Sequence, residues 1–187
     1  LRNILKQMMA MFALATPAAA SADSLGRLEW LIDKRFDVPQ MTVAEAQAAL
    51  RESPQNWLVL DVREAGEYAV SRLPSAVRVP PDADADAFMR AVGDSVNGMQ
   101  LLFYCSVGQR SSKLADRVQE DVTAAGGLGV ANLRGGIFRW HSEHGPLVNA
   151  EGPVDRIHPY NAIWGRLMPR DNPDASVDAG ARPTNHR

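Results

Sequence analysis

Gln100-Leu101-Leu102-Phe103-Tyr104-Cys105-Ser106-Val107-Gly108-Gln109-Arg110-Ser111-Ser112 is the stretch on which the reading of this chain turns. Its first five residues form a short apolar run of the kind that suits a buried strand. That run passes straight into Cys105. Gly108 then offers a backbone that can turn left-handed or be approached closely. Ser111 or Ser112 starts a helix, with Leu114, Val118 and Val122 at i, i+4 steps. A strand, a tight cysteine loop and a helix therefore follow one another without a break.

The same alternation extends outward in both directions. Upstream, Leu25, Leu28, Leu31, Ile32 and Phe36 recur at helical spacing after Asp23 and Ser24, and Pro39 ends that element. Thr42 caps a second helix from Val43 to about Arg51, and Trp57–Val62 reads as a strand after the Ser53-Pro54 turn. Glu64–Val70 is predicted helical, Ala76–Val79 a strand, and Asp82-Ala83-Asp84-Ala85-Asp86 opens a helix through Val92. Downstream, Gly126-Gly127 ends the long helix. Val130–Leu133 is a strand, and Gly135-Gly136 breaks it before a helix around Phe138-Arg139-Trp140. Repeated strand–helix alternation predicts an α/β fold, a parallel sheet with helices on both faces. In such folds ligands sit outside the carboxyl ends of the strands, where Cys105 lies.

The ends of the chain read differently. Residues 1–22 carry Arg2 and Lys6, an apolar run from Met8 to Ala15, and then Ala18-Ala19-Ala20-Ser21-Ala22. Those are the three parts of a secretory signal peptide, cleaved after Ala20 or Ala22. The run is far shorter than the roughly 20 residues that span a bilayer. The expectation is a periplasmic or secreted mature protein. Leu1, where an initiator Met is expected, suggests a fragment or an alternative start codon read literally. Residues 23–37 form an N-terminal helix, 38–150 the main domain and 151–168 a helical extension. In that extension Ile157, Tyr160, Ile163, Trp164 and Leu167 make an apolar stripe opened by Pro159. The stripe packs on the domain or takes a protein partner. Residues 169–187, rich in Pro, Asp, Asn and Arg, read as disordered.

Composition removes several classes of function. Of 187 residues, 20 are Lys or Arg and 22 Asp or Glu, a net charge of −2 that gives no reason to expect nucleic acid or an anionic membrane as partner. The single cysteine excludes an intrachain disulfide and any multi-cysteine metal site. No metal or other cofactor is expected. Asp82, Asp84 and Asp86 read as helix-capping residues, and His141 and His144 lack a third ligand nearby. Trp30, Trp57, Trp140 and Trp164 read as core or docking anchors.

What remains is the loop. Amides following Cys105 in a tight turn make a concave anion nest, and the next helix adds unpaired N-terminal amides and the positive end of its dipole. Arg110 adds a fixed positive charge. All three favour a thiolate on Cys105, and the same features suit an anionic substrate or a cysteine persulfide.

Three segments in order are similar to the rhodanese domain. They are Leu58-Val59-Leu60-Asp61-Val62-Arg63-Glu64 with Glu67-Tyr68, then Tyr104–Ser111, then Asn132-Leu133-Arg134-Gly135-Gly136-Ile137 with Trp140 and Gly145-Pro146-Leu147. The resemblance covers about Asp37 to Val148. It implies a five-stranded parallel sheet flanked by helices, a nucleophile at Cys105, and an anion cradle on the backbone of Ser106, Val107, Gly108, Gln109 and Arg110. Where the family often has His in the turn before its third strand, this chain has Arg72, a difference that reads as structural.

The loop from Cys105 to Arg110 has six residues. That resembles the sulfurtransferases, since related phosphatases use a loop one residue longer. The expected activity moves the sulfane sulfur of thiosulfate or a persulfide, through a Cys105 persulfide, to a thiol or cyanide. Arg110 attracts the donor. Arg63 does the same or pairs with Glu67, and the structural pair is the preferred reading. Asp61 holds backbone or arginine groups near the loop. The alternatives are a non-catalytic binding or sulfur-carrier module of the same fold and, third, a cysteine-dependent phosphatase.

Overall fold

The computed structural model describes residues 17–159, with side chains from residue 24 onward. Five strands form one parallel sheet: β1 (Gln40–Met41), β2 (Trp57–Asp61), β3 (Val77–Arg78), β4 (Gln100–Tyr104) and β5 (Gly129–Leu133). Their order is β1-β5-β4-β2-β3, so β4 is central and delivers Cys105 at its carboxyl end. The register is continuous across the centre, with Asp61 beside Tyr104 and Phe103 beside Asn132.

Among the described residues, six α-helices accompany the sheet. They are α1 (Pro17–Arg35), α2 (Val43–Glu52), α3 (Ala65–Val70), α4 (Ala85–Val92), α5 (Gln109–Ala124) and α6 (Gly136–Ser142). Alternation along the central strands sends Leu101, Phe103 and Val130 to one face, where they bury against Phe88 of α4 and Leu114, Val118 and Val122 of α5. Leu102, Tyr104, Ala131 and Leu133 face the other way, toward Leu25 of α1, Val43 and Ala46 of α2, and Ile137, Phe138 and Trp140 of α6. Both faces are buried, which is why these strands read as unbroken apolar runs.

Local chemistry accounts for the element ends. Thr42 and Glu45 form a reciprocal capping box at α2, and Asp84 accepts the Ala87 amide at the start of α4 (2.7 Å). Two starts differ from the sequence reading. Helix α1 already includes Pro17–Ala22, ahead of the expected start at Asp23 or Ser24, because the alanine-rich run before them is strongly helix-forming. Helix α5 begins at Gln109, two residues ahead of Ser111, because left-handed Gly108 (φ 101°) serves as its N-cap. Two short features lack an apolar run in the sequence pattern. One is β1; the other is an antiparallel pair, β6 (Leu147–Val148) with β7 (Pro153–Val154). That pair folds residues 153–154, expected in a helical extension, back against the domain. Ile157 is buried, while Tyr160, Ile163, Trp164 and Leu167 lie outside the described residues, as do the expected tail and most of the expected leader.

Helix α1 is held by more than its apolar face. Glu29, 7% exposed, pairs with Arg139 of α6 (2.9 Å), and Arg134, just beyond β5, pairs with Asp33 (2.7 Å). Trp30 and Leu31 are exposed on the outer side of α1, so Trp30 is not a core anchor, whereas Trp140 is buried and donates to the Pro146 carbonyl (3.0 Å). No helix among the described residues is long and apolar enough to cross a membrane.

A buried polar pin joins the carboxyl ends of β2 and β4. Tyr104 donates to Asp61 Oδ2 (2.6 Å) and accepts from the Leu73 amide (3.1 Å), while Arg63 forks onto both oxygens of Asp61 (2.8 and 2.6 Å) and donates to the Ser71 carbonyl (2.6 Å). Asp61 and Arg63 have no exposed side-chain surface. Removing the carboxylate strands a buried guanidinium, so Asp61→Ala is expected to lose about 3–5 kcal/mol of stability in urea titration. An effect under about 1 kcal/mol, the range of surface pairs, would show that water reaches the pair.

Candidate active site

The loop between β4 and α5 is clamped from behind by α6. The first amides of a helix lack partners within it, and here those of Ile137 and Phe138 donate to the carbonyls of Cys105 (2.9 Å) and Ser106 (3.1 Å). Gly136 makes this approach possible. Its φ is +57°, and a β-carbon there would collide with the Cys105 carbonyl and the Ser106 backbone. With their carbonyls turned outward, the loop residues turn amides inward. The Gly108 amide donates to Cys105 Sγ at 3.2 Å.

Cys105 is only 1% exposed, so these amides, not bulk water, form its environment. Burial alone would raise the thiol pKa. It is outweighed by the Arg110 charge, the Ser111 hydroxyl and the amides of Ser111 and Val107, and the thiol lies below its ordinary value. The Ser111 hydroxyl is buried without a hydrogen-bond partner.

Glu67, from the first turn of α3, holds the cation in place. Arg110 Nη1 and Nη2 fork onto its two oxygens, both at 2.9 Å, and Ser106 Oγ donates to Oε1 (2.8 Å). Arg110 Nη2 also donates to Ser106 Oγ (2.9 Å). Burial pushes the Glu67 carboxyl up, but Arg110, Ser106 and the Glu64 amide bring it below the usual range. Arg110 keeps its charge, its pKa raised against the opposing effect of burial by Glu67 and by Cys105. The planar fork explains why arginine suits this place better than lysine.

The structure thus brings Cys105, Ser106, Val107, Gly108, Arg110 and Glu67 together. Gln109, the first residue of α5, is exposed. Arg63 takes neither role expected of it. It is fully buried, so it cannot draw a donor from solvent, and it pairs with Asp61 in place of Glu67. Extended backbone puts residues two apart on one face, which hands Arg63 to Asp61 and leaves Glu67 to Arg110. Asp61 does hold an arginine, as expected. Arg72 lies over the Tyr68 ring (4.6 Å), in keeping with a structural part. His141 meets Asp155 (3.0 Å), and among the described residues no cluster of His, Cys, Asp or Glu could hold a metal ion. Two participants had been missed: Ser111, read only as a helix start, and the amides of α6. The adjacent serines behind the loop were the available signal for the first. Nothing local announces the second.

A family model for the rhodanese-like domain matches residues 42–143, more than half of the chain. The chain belongs to the rhodanese-like family. The rhodanese-like fold is shared with solved structures of low sequence identity. The BH2092 protein from Bacillus halodurans superposes with a TM-score of 0.52 at 18% identity, covering 81% of this chain and 98% of that one. A thiosulfate sulfurtransferase from Pseudomonas aeruginosa gives 0.50 at 21%, covering 79% of this chain and 26% of that one. An uncharacterized 16.5 kDa protein of Synechococcus elongatus is 32% identical over 73 residues, 38% of this chain and 49% of that protein, so the match spans about half of the relative's length.

The charge nearest the thiol has a testable consequence. Arg110→Gln keeps a hydrogen-bonding side chain and removes the cation, so the Cys105 pKa is expected to rise. Alkylation by iodoacetamide, which reads the thiolate, then slows on the acid side by about tenfold for each pKa unit gained and converges with the parent at high pH. Equal rates at acid pH would show that the backbone amides alone hold the thiolate.

Proposed function

We propose that this rhodanese-like protein is a sulfurtransferase that moves the sulfane sulfur of thiosulfate, or of a persulfide, to a thiophilic acceptor. The observation that carries this is the setting of Cys105 Sγ: a thiol with a lowered pKa, bonded to an inward amide, in a six-residue loop closed by Arg110. The loop is too short by one residue for the related phosphatase design. No side chain of the loop stands as the acid that an alkoxide leaving group would require. Sulfur transfer needs none, because sulfite leaves as a stable anion.

The reaction is a double displacement. Cys105 Sγ, as thiolate, attacks the outer sulfur of thiosulfate. A new S–S bond forms, the old one breaks, and its electron pair departs with sulfite. The enzyme is left as the Cys105 persulfide anion, with the charge count unchanged. The inward amides that favour the thiolate also favour this terminal sulfur anion. Cyanide or a thiolate acceptor then attacks the terminal sulfur, and the Cys105 thiolate leaves with the bonding pair. Arg110 contributes positive potential at the loop while Glu67 fixes its orientation. Because Glu67 cancels part of that charge, the amides carry the larger share of anion binding.

The test is thiocyanate formation from thiosulfate and cyanide by the purified chain, beside Cys105→Ala. Turnover is expected from the parent and none from the variant. No turnover from folded parent protein would overturn the thiosulfate assignment and favour persulfide donors or a carrier role.

The leader-like pattern of residues 1–22 supports a second proposal, export of the protein. Amino-terminal sequencing after expression with the leader intact is expected to begin at Ser21 or Asp23, in the periplasmic or secreted fraction. An uncleaved cytoplasmic product would overturn it.

A further inference from the structure

Asn132 is a fully buried amide on a face that is otherwise apolar. On β5 it shares the α5-facing side with Val130, next to Phe103 of β4. Its Nδ2 donates to Gln40 Oε1 (2.7 Å) and to the Leu133 carbonyl (3.2 Å), and its Oδ1 is buried without a hydrogen-bond partner. An unpaired buried acceptor costs stability, and valine would fill the same volume without that cost. The side chain therefore contributes something other than packing.

Its place shows what that is. Asn132 Nδ2 lies 3.1 Å from where a β-carbon would project at Gly108, close beside the left-handed turn whose amide reaches Cys105 Sγ. Gln40, beside Asn132 in the sheet register, donates from Nε2 to Ser112 Oγ (3.2 Å) and to the Val38 carbonyl (3.2 Å). The Ser112 amide in turn donates to the Gly108 carbonyl (3.0 Å). One short polar chain from β5 through β1 thus reaches the first turn of α5, whose N-cap is Gly108.

We propose that Asn132, braced by Gln40, is a positioning residue that holds the Gly108 turn where its amide meets Cys105 Sγ. Neither side chain touches the sulfur. Asn132 lies beside Gly108, which does, and Gln40 acts through Asn132 and Ser112. The inference rests on the reading of Cys105 as a reactive thiolate, and its test does not depend on which sulfur donor is used.

The experiment is the pH profile of Cys105 alkylation by iodoacetamide in the full chain and in three variants. Asn132→Val removes the amide at nearly constant volume, and Gln40→Leu removes the brace. Val122→Ala opens a cavity at the far end of α5 and controls for lost stability. Near pH 6, Asn132→Val is expected to react about tenfold more slowly than the parent and Gln40→Leu several-fold more slowly, with all rates converging at high pH, as a displaced thiol pKa requires. Val122→Ala should overlay the parent, since it does not displace that pKa. A profile of Asn132→Val that superposes on the parent, or an equal shift in Val122→Ala, overturns the proposal. Should Asn132→Val fail to fold, half-buried Gln40→Leu on the edge strand decides, and an unshifted profile there overturns it. A parent midpoint at the free-thiol value of about 8.5 would instead overturn the thiolate reading of Cys105 itself.

Discussion

Two hydrogen bonds fix the loop around which the molecule is organised: those from the Ile137 and Phe138 amides to the Cys105 and Ser106 carbonyls. A peptide unit whose carbonyl is committed outward directs the adjoining amides to the other side, so this docking sets the orientation of the nest. It also explains why the sheet, the glycine pair and α6 come as a unit. The carbonyls must lie at a helix N-terminus, and that terminus must come within backbone contact. Only glycine at position 136 permits the contact.

Around the cysteine loop, charge is distributed so that each buried carboxylate faces one well-matched arginine. Asp61 and Arg63 neutralise each other beneath the site, with Tyr104 locking the carboxylate. Glu67 and Arg110 do so at its rim, where Arg110 also stabilises the thiolate. Separating the two pairs matters. A free cation would bind any anion, whereas an arginine already forked onto Glu67 adds potential without becoming the ligand. In the proposed reaction, anion recognition falls to backbone amides, whose positions packing can hold more sharply than a flexible side chain.

Helix α1 lies outside the region matched by the rhodanese-like family, yet it is part of the folded unit. Glu29 reaches Arg139 and lies against Gly135, the residue before the glycine that meets the Cys105 carbonyl. The same α6 thereby ties the added helix and the cysteine loop. Leu25, buried in the core shared by α2 and α6, makes that attachment apolar as well as ionic.

The sequence by itself determined the order and type of the main elements, the parallel sheet, the central place of the Cys105 strand and the loop that follows it. Those features are written in local signals: apolar runs bounded by turns, helical spacing, capping residues, and a glycine at the one loop position that turns left-handed. Tertiary structure alone decided the partners of the charged groups. Arg63 could have met Glu67 or Asp61, and strand alternation, with the Ser71 carbonyl, settled it on Asp61. It also decided the role of Asn132, which in the chain is one polar residue within a short apolar strand. Its meaning depends on Gly108 and Gln40, residues remote in sequence that the parallel sheet brings against it. Hydrophobic pattern and turn chemistry act between near neighbours and so can be read along the chain. A hydrogen bond or ion pair across strands depends on register and distance, which exist only once the sheet has formed.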